Sequence, residues 1–428
     1  MLVSNESSLV KNTTHTVVLP FYIYAALSFL AATVLLFIYS SVFTQHYFHP
    51  KTLAITHTMA LGWGTMIILG ASHQLVPVLI EGRLFSIALA HLSFILAAVG
   101  IPLLVFGFFQ FNMGWPAQWG GFLINAAILA YVVNLAVSIA KSKKENVHAM
   151  FVFTAALWLL ITTLVGLLLV YNFSYPFLAN DSLHYLSLHA HMGIVGWFLL
   201  LVTGVGSRLI PLFLVSKYDN PKMLWLIYGL VNGGLLGFVF IFLFFPGAPF
   251  YLLPLSAIVL ALILFGCYCH HCYKQRLRRQ VDEQVKISLL SVGMMLLPVI
   301  FLLIMIVFLL VSETNTRLVL LYGVSVFFGW ITAIILGMTF KTLPFIVWNK
   351  VYQLRAGIGK TPNPKDMFSN KIFNIMGIGY LAGFLLFITG IYLSNIFLLK
   401  FATAFLLLTA VLYNWNAGKI LLHKPDKP

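Results

Sequence analysis

Apolar stretches of about 20 residues follow one another down the whole chain, and this leaves it one kind of solvent. Twelve can be read, at 18–43, 52–79, 84–109, 118–141, 147–172, 185–214, 222–246, 249–272, 287–311, 316–347, 370–393 and 396–417. Each is long enough to cross a hydrocarbon core of about 30 Å. Of the 428 residues, 61% are hydrophobic and 8% charged, where a soluble domain carries about 25% charged residues. Inside lipid every backbone N–H and C=O must be satisfied within the segment, which makes the spans helices. The expected class is an all-α integral membrane protein with about twelve transmembrane helices in a single domain, 1–428. The first segment is too long for a signal core and lacks a small-residue cleavage site.

The formal net charge of +15 follows the helix links. Cations cluster after the fourth span (Lys141, Lys143, Lys144), the eighth (Lys274, Arg276, Arg278, Arg279) and the tenth (Lys350, Arg355, Lys360, Lys365). The links at 112–118, 171–185 and 245–248 have none. By the positive-inside rule the even-numbered links and both termini face the cytoplasm, in a bacterial inner (plasma) membrane. No soluble basic domain exists to carry a nucleic-acid function.

Three of the spans repeat one pattern. The first copy runs His57-Thr58-Met59-Ala60-Leu61-Gly62-Trp63, then Gly70 and Pro77; the second runs His191-Met192-Gly193-Ile194-Val195-Gly196-Trp197, then Gly204 and Pro211. The third is Gly329-Trp330, then Gly337 and Pro344. The tryptophans are 134 and 133 residues apart, too long for a solenoid turn and right for a four-helix unit. The expected repeats are about 17–141, 147–272 and 287–417, in a pseudo-threefold arrangement with the pattern on the second helix of each. His57 and His191 hold the same place, six residues before Trp; Val324 holds it in the third copy.

All ten carboxylates fall outside the expected spans. Intramembrane carboxylates are the usual relays of pumps and ion-coupled carriers, so the census argues against both. Histidine remains, and neutral imidazole is a common metal and haem ligand. His57 and His191 are expected to be axial ligands, to one haem between the second and sixth spans or one each to two haems. Bonding across helices is the plainer role. His189 is about 200° from His191 on a helix, so it would serve a second site or pack at an interface. His91 is expected in mid-membrane, equally suited to ligation or to core hydrogen bonding. Trp63 and Trp197 would wall the site or pack between helices. His46, His49 and His184 are solvated loop residues or, less simply, a copper site. His73 is structural, and Arg208 and Lys341 snorkel to the inner interface. The run Cys267-Tyr268-Cys269-His270-His271-Cys272 would hold thiols in a reducing cytoplasm; one helix seldom completes a metal site.

Three four-helix repeats with histidines on second helices resemble the catalytic subunit I of the haem–copper oxidases. The stretch from His189-Ala190-His191 through Gly196-Trp197, Gly204 and Pro211 more closely resembles the NnrS family, haem-containing membrane proteins linked to nitric oxide. The resemblance covers the architecture of the whole chain, with strong motifs on the second and sixth spans. It implies b-type haem, with copper as the alternative metal. It implies binding, sensing or detoxification of nitric oxide or oxygen, and association with a respiratory or denitrification complex. The chain departs from the oxidases where they need histidines most. The tenth span has none around Tyr322 to Trp330, and the seventh has none from Met223 to Phe245. The ordinary binuclear centre cannot be built, so proton-pumping oxygen reduction is not expected. The competing readings are a divergent oxidase or nitric oxide reductase using His91 or His189, a small-molecule channel or transporter lined by His57 and His191, and a cofactor-free assembly partner that docks through its 355–371 loop.

Overall fold

The computed structural model describes residues 14–142, 146–278, 280–311, 315–353 and 361–424. Lys143, Lys144, Arg279, Arg355 and Lys360, on which the orientation partly rests, lie outside the described residues, as do both ends of the chain and the rest of 354–360. Twelve helices are long and apolar enough to cross a membrane. They are α1 (His15–Ile38), α2 (Pro50–Leu79), α3 (Ile87–Phe109), α4 (Trp115–Ala140), α5 (Val147–Ser174), α6 (Leu186–Leu214), α7 (Pro221–Phe244), α8 (Ala248–Lys274), α9 (Glu283–Leu310), α10 (Thr316–Tyr352), α11 (Asn370–Tyr392) and α12 (Ile396–Leu421). The chain is thus a multi-pass membrane protein by the length and apolarity of its helices.

Local chemistry sets the helix starts. Asn220 caps α7 by accepting from the Met223 N–H at 3.1 Å, with Pro221 at the first helical position, where its missing N–H costs nothing. Ser86, Asn146, Asn315, Ser369 and Asn395 cap α3, α5, α10, α11 and α12 in the same way. These side chains satisfy orphan N–H groups that lipid could not.

The helices carrying the repeated pattern are the most enclosed: over their apolar 18-residue stretches 78% of α10 and 72% of α2 are buried, against 17% for α9. The pattern explains their close packing. A Cβ at Gly70 would collide with Phe21 of α1, at Gly204 with Phe151 of α5 and at Gly337 with Ser288 of α9. Glycine at that position lets the preceding helix lie against the patterned one.

Each patterned helix also changes winding at the same place. Thr58–Thr65 of α2, Met192–Leu199 of α6 and Ser325–Ile331 of α10 are π-helical. His57 and His191 are the last α-helical residues before the first two segments, and Val324 precedes the third. In α10 the backbone kinks at Gly329, whose carbonyl accepts from the Tyr380 hydroxyl at 2.7 Å.

The three tryptophans are buried between these helices. Trp63 Nε1 donates to Thr332 Oγ1 at 3.2 Å, and Trp197 Nε1 donates to Thr65 Oγ1 at 3.0 Å. Both acceptors stand two residues after a tryptophan of the pattern, so α2 is tied to α10 and α6 to α2. At the end of the bundle that holds the α8–α9 link, Lys341 pairs with Asp282, which also takes a two-pronged bond from Arg278 at 2.7 and 2.9 Å. Lys341 therefore does more than snorkel: it ties α10 to the α8–α9 link.

Candidate functional site

A mostly apolar cavity of about 660 Å³ lies among α2 to α10, in the half of the bundle that holds His57, His189 and His191. All three imidazoles line it, and each is oriented through Nδ1 by a backbone carbonyl. His57 bonds Leu53 O at 2.8 Å, His189 bonds Thr162 O of α5 at 3.0 Å and His191 bonds Ser187 O at 2.8 Å. A carbonyl partner fixes Nδ1 as the protonated nitrogen and leaves the Nε2 lone pair free, the arrangement typical of metal-bound histidines. Among the described residues no Nε2 of the three has a hydrogen-bond partner.

The structure pairs His57 with His189. Their ring centroids are 6.4 Å apart and their planes 19° from parallel. Two imidazoles on opposite sides of one metal ion, with metal–nitrogen bonds of about 2 Å, have centroids about 6 Å apart. His189 is seated by an absent side chain: a Cβ at Gly166 would lie 2.8 Å from its Cε1. His57 rests against Phe108 at 4.5 Å. Close by, the buried Thr52 Oγ1 has no partner and its residue lines the cavity.

His191 is elsewhere. Its ring lies 5.6 Å from Tyr322 of α10, 24° from parallel, and 4.9 Å from Phe238 of α7. His189 and His191 thus face opposite sides of α6, as their two-residue spacing requires, but the partner of His57 is His189 where the sequence suggested His191. The two pairs correspond. His189 and Tyr322 each stand eight residues before the tryptophan of their copy, and His57 and His191 each stand six before. Sequence reasoning missed Tyr322, although its position relative to Trp330 was in plain view.

His91 falls in the second turn of α3, near its start, with Nε2 3.3 Å from the Thr16 carbonyl at the beginning of α1. It is not in mid-membrane and does not line the cavity. Trp197 lines the cavity, whereas Trp63 stacks on Phe29 at 4.5 Å outside it. His73 bonds Leu69 O at 2.7 Å and packs on Phe21 and Tyr131, a structural setting. The loop histidines are turn and cap elements: His46 Nδ1 accepts from Phe48 N–H and His49 Nδ1 from Lys51 N–H, while His184 packs on Tyr185 and Phe242. Burial and the nearby Lys51 hold the His49 imidazole below its ordinary pKa. Cys269 and Cys272 are buried free thiols and Cys267 is exposed. Among the described residues no group of three or more His, Cys, Asp or Glu side chains converges on one point. A metal between His57 and His189 would therefore need its remaining ligands from elsewhere, as iron in a macrocycle has. Apolar walls, the imidazoles of His57 and His189 and the small neighbours Gly121, Gly166 and Gly193 would suit such a flat group.

The chain matches no protein-family model and no curated protein.

Proposed function

We propose that this chain is a haem-binding membrane protein in which His57 of α2 and His189 of α6 are the two axial ligands, within three four-helix repeats set about a pseudo-threefold axis as in subunit I of the haem–copper oxidases. The observation that carries the reading is the His57–His189 pair: 6.4 Å between rings, 19° between planes and both Nδ1 groups committed to carbonyls. The threefold reading draws support from the three π-helical segments at matching positions and from the tryptophan–threonine bonds between patterned helices.

When bound, b-type haem would supply a one-electron couple and an iron site for a diatomic gas. The chain's own residues would hold the group: carbonyls orient the His57 and His189 imidazoles and apolar walls keep water away. Imidazoles committed on both sides would leave a gas little room at the iron. That suits sensing, binding or slow removal of nitric oxide, which the resemblance to the NnrS family suggests. It does not suit rapid oxygen reduction. The setting we propose is a bacterial inner membrane with both termini in the cytoplasm, beside a respiratory or denitrification complex. The same spacing favours one alternative, a single copper(I) ion held linearly by the two imidazoles.

Visible spectra and metal analysis of detergent-purified protein test this. Wild type is expected to show a Soret band with about one iron per chain, and His57→Ala and His189→Ala are expected to lose it while His91→Ala keeps it. Copper without a Soret band selects the alternative; a colourless, metal-free wild type that remains active in cells overturns both.

A further inference from the structure

The cavity has a second polar focus that the haem reading does not use. Tyr322 is 8% exposed, lines the cavity, and its hydroxyl has no hydrogen-bond partner among the described residues. A buried polar group without a partner calls for one. His191 offers the complement, an Nε2 lone pair freed by the bond from Nδ1 to Ser187 O. The two rings lie 5.6 Å apart at 24°, and Phe238 and Tyr251 add aromatic walls, 4.9 Å from His191 and 5.8 Å from each other respectively. By position this is the His57–His189 site one repeat further on, with a phenol in place of one imidazole. A phenol carries its oxygen at the far end of the ring, so the pair offers one donor and one acceptor where its counterpart offers two metal-facing nitrogens.

The surroundings define who can arrive. Leu302 and Met305 of α9 line this part of the cavity, while Ile300, Leu303 and Val307 on the same helix are 51%, 45% and 51% exposed. One lightly packed helix, with a break at Met295 ahead of Pro298, thus lines the cavity on one side and is widely exposed on the other. We propose that the His191–Tyr322 face of the cavity binds a lipid-soluble molecule with a flat ring and a ring oxygen, the class of the prenylated quinones. Tyr322 donates to the ring oxygen, or His191 accepts from it in the hydroxyl form, and the tail leaves past α9.

Equilibrium dialysis of a decyl-benzoquinone against the purified full chain in nanodiscs, with empty nanodiscs as the partition control, tests this. Saturable binding of one molecule per chain is expected, and Tyr322→Phe and His191→Leu are each expected to weaken it about tenfold, the worth of one hydrogen bond. Both variants are first checked for a monodisperse peak. His57→Ala should bind the quinone as wild type does, so this site and the haem site fail independently. Binding no greater than to empty nanodiscs, or unchanged in Tyr322→Phe and His191→Leu, overturns the proposal.

Discussion

His189 is held from two sides, and only one of them is a bond. The Thr162 carbonyl fixes Nδ1, while the missing side chain of Gly166, one turn further along α5, gives the ring room. Gly166→Ala would press a methyl group 2.8 Å from Cε1, closer than any stable carbon contact. The ring must then turn or shift by several tenths of an ångström. Alanine is the better helix former by about 1 kcal/mol, so the fold should survive. The expected outcome is an unchanged melting temperature within a few degrees and a several-fold lower Soret-to-protein absorbance ratio. Full pigment in a well-folded Gly166→Ala protein would mean that His189 is no ligand. The neighbour of His57 was only half legible in the sequence. His57 and His191 were recognisable because they share a place in the pattern. In the structure the two have different ring neighbours. His57 looks toward α6 and finds His189; His191 looks toward α10 and finds Tyr322. Position eight before the tryptophan carries no pattern, holding Ile55, His189 and Tyr322, so nothing in a single copy marks it.

Elements were more legible than sites. Apolar runs located all twelve spans, because length and hydropathy alone decide what lipid will accept. The π-helical segments were not legible, since an extra residue in a turn depends on what packs against it and not on local propensity. Helix α10 also runs on to Tyr352, past the apolar window that marked it. Within that window Lys341 is a cation that the bundle can keep because Asp282 meets it. Burial pushes the Asp282 carboxyl up, but Lys341 and Arg278 more than offset this and hold it below its ordinary value. A depressed carboxylate pKa stabilises the fold fully above the ordinary value of about 4 and loses that contribution as pH falls through the lower, folded value. Asp282→Asn should therefore melt lower than wild type at pH 7, and the gap should close at the acid end. Thermal melts of the two proteins from pH 7 down to pH 3 check this. A gap that widens toward acid would remove the ion pair from the account.

For the whole molecule, the tryptophan–threonine bonds make the threefold reading testable without any cofactor. Trp63 reaches the residue two after the tryptophan of the third copy, and Trp197 reaches the residue two after that of the first. If the three copies surround one axis, Trp330 faces the residue two after Trp197. That residue is Leu199, which has no hydroxyl, and among the described residues Trp330 Nε1 has no hydrogen-bond partner. Two bonds of three is what a threefold ring would give with leucine at the third acceptor position. Leu199→Thr and Leu199→Val remove similar apolar volume and differ by a hydroxyl in place of a methyl. If Trp330 Nε1 finds that hydroxyl, the threonine variant should be the more stable by about 1 kcal/mol. If the hydroxyl is buried without a partner, it should be the less stable by about 1 to 3 kcal/mol. Conversely Thr65→Val and Thr332→Val should each cost about 1 kcal/mol or more, because each leaves a buried indole N–H unpaired. Melting temperatures of the four variants in one detergent decide the question by sign. A valine variant at 199 that outlasts its threonine counterpart would place Trp330 away from Leu199 and break the threefold ring.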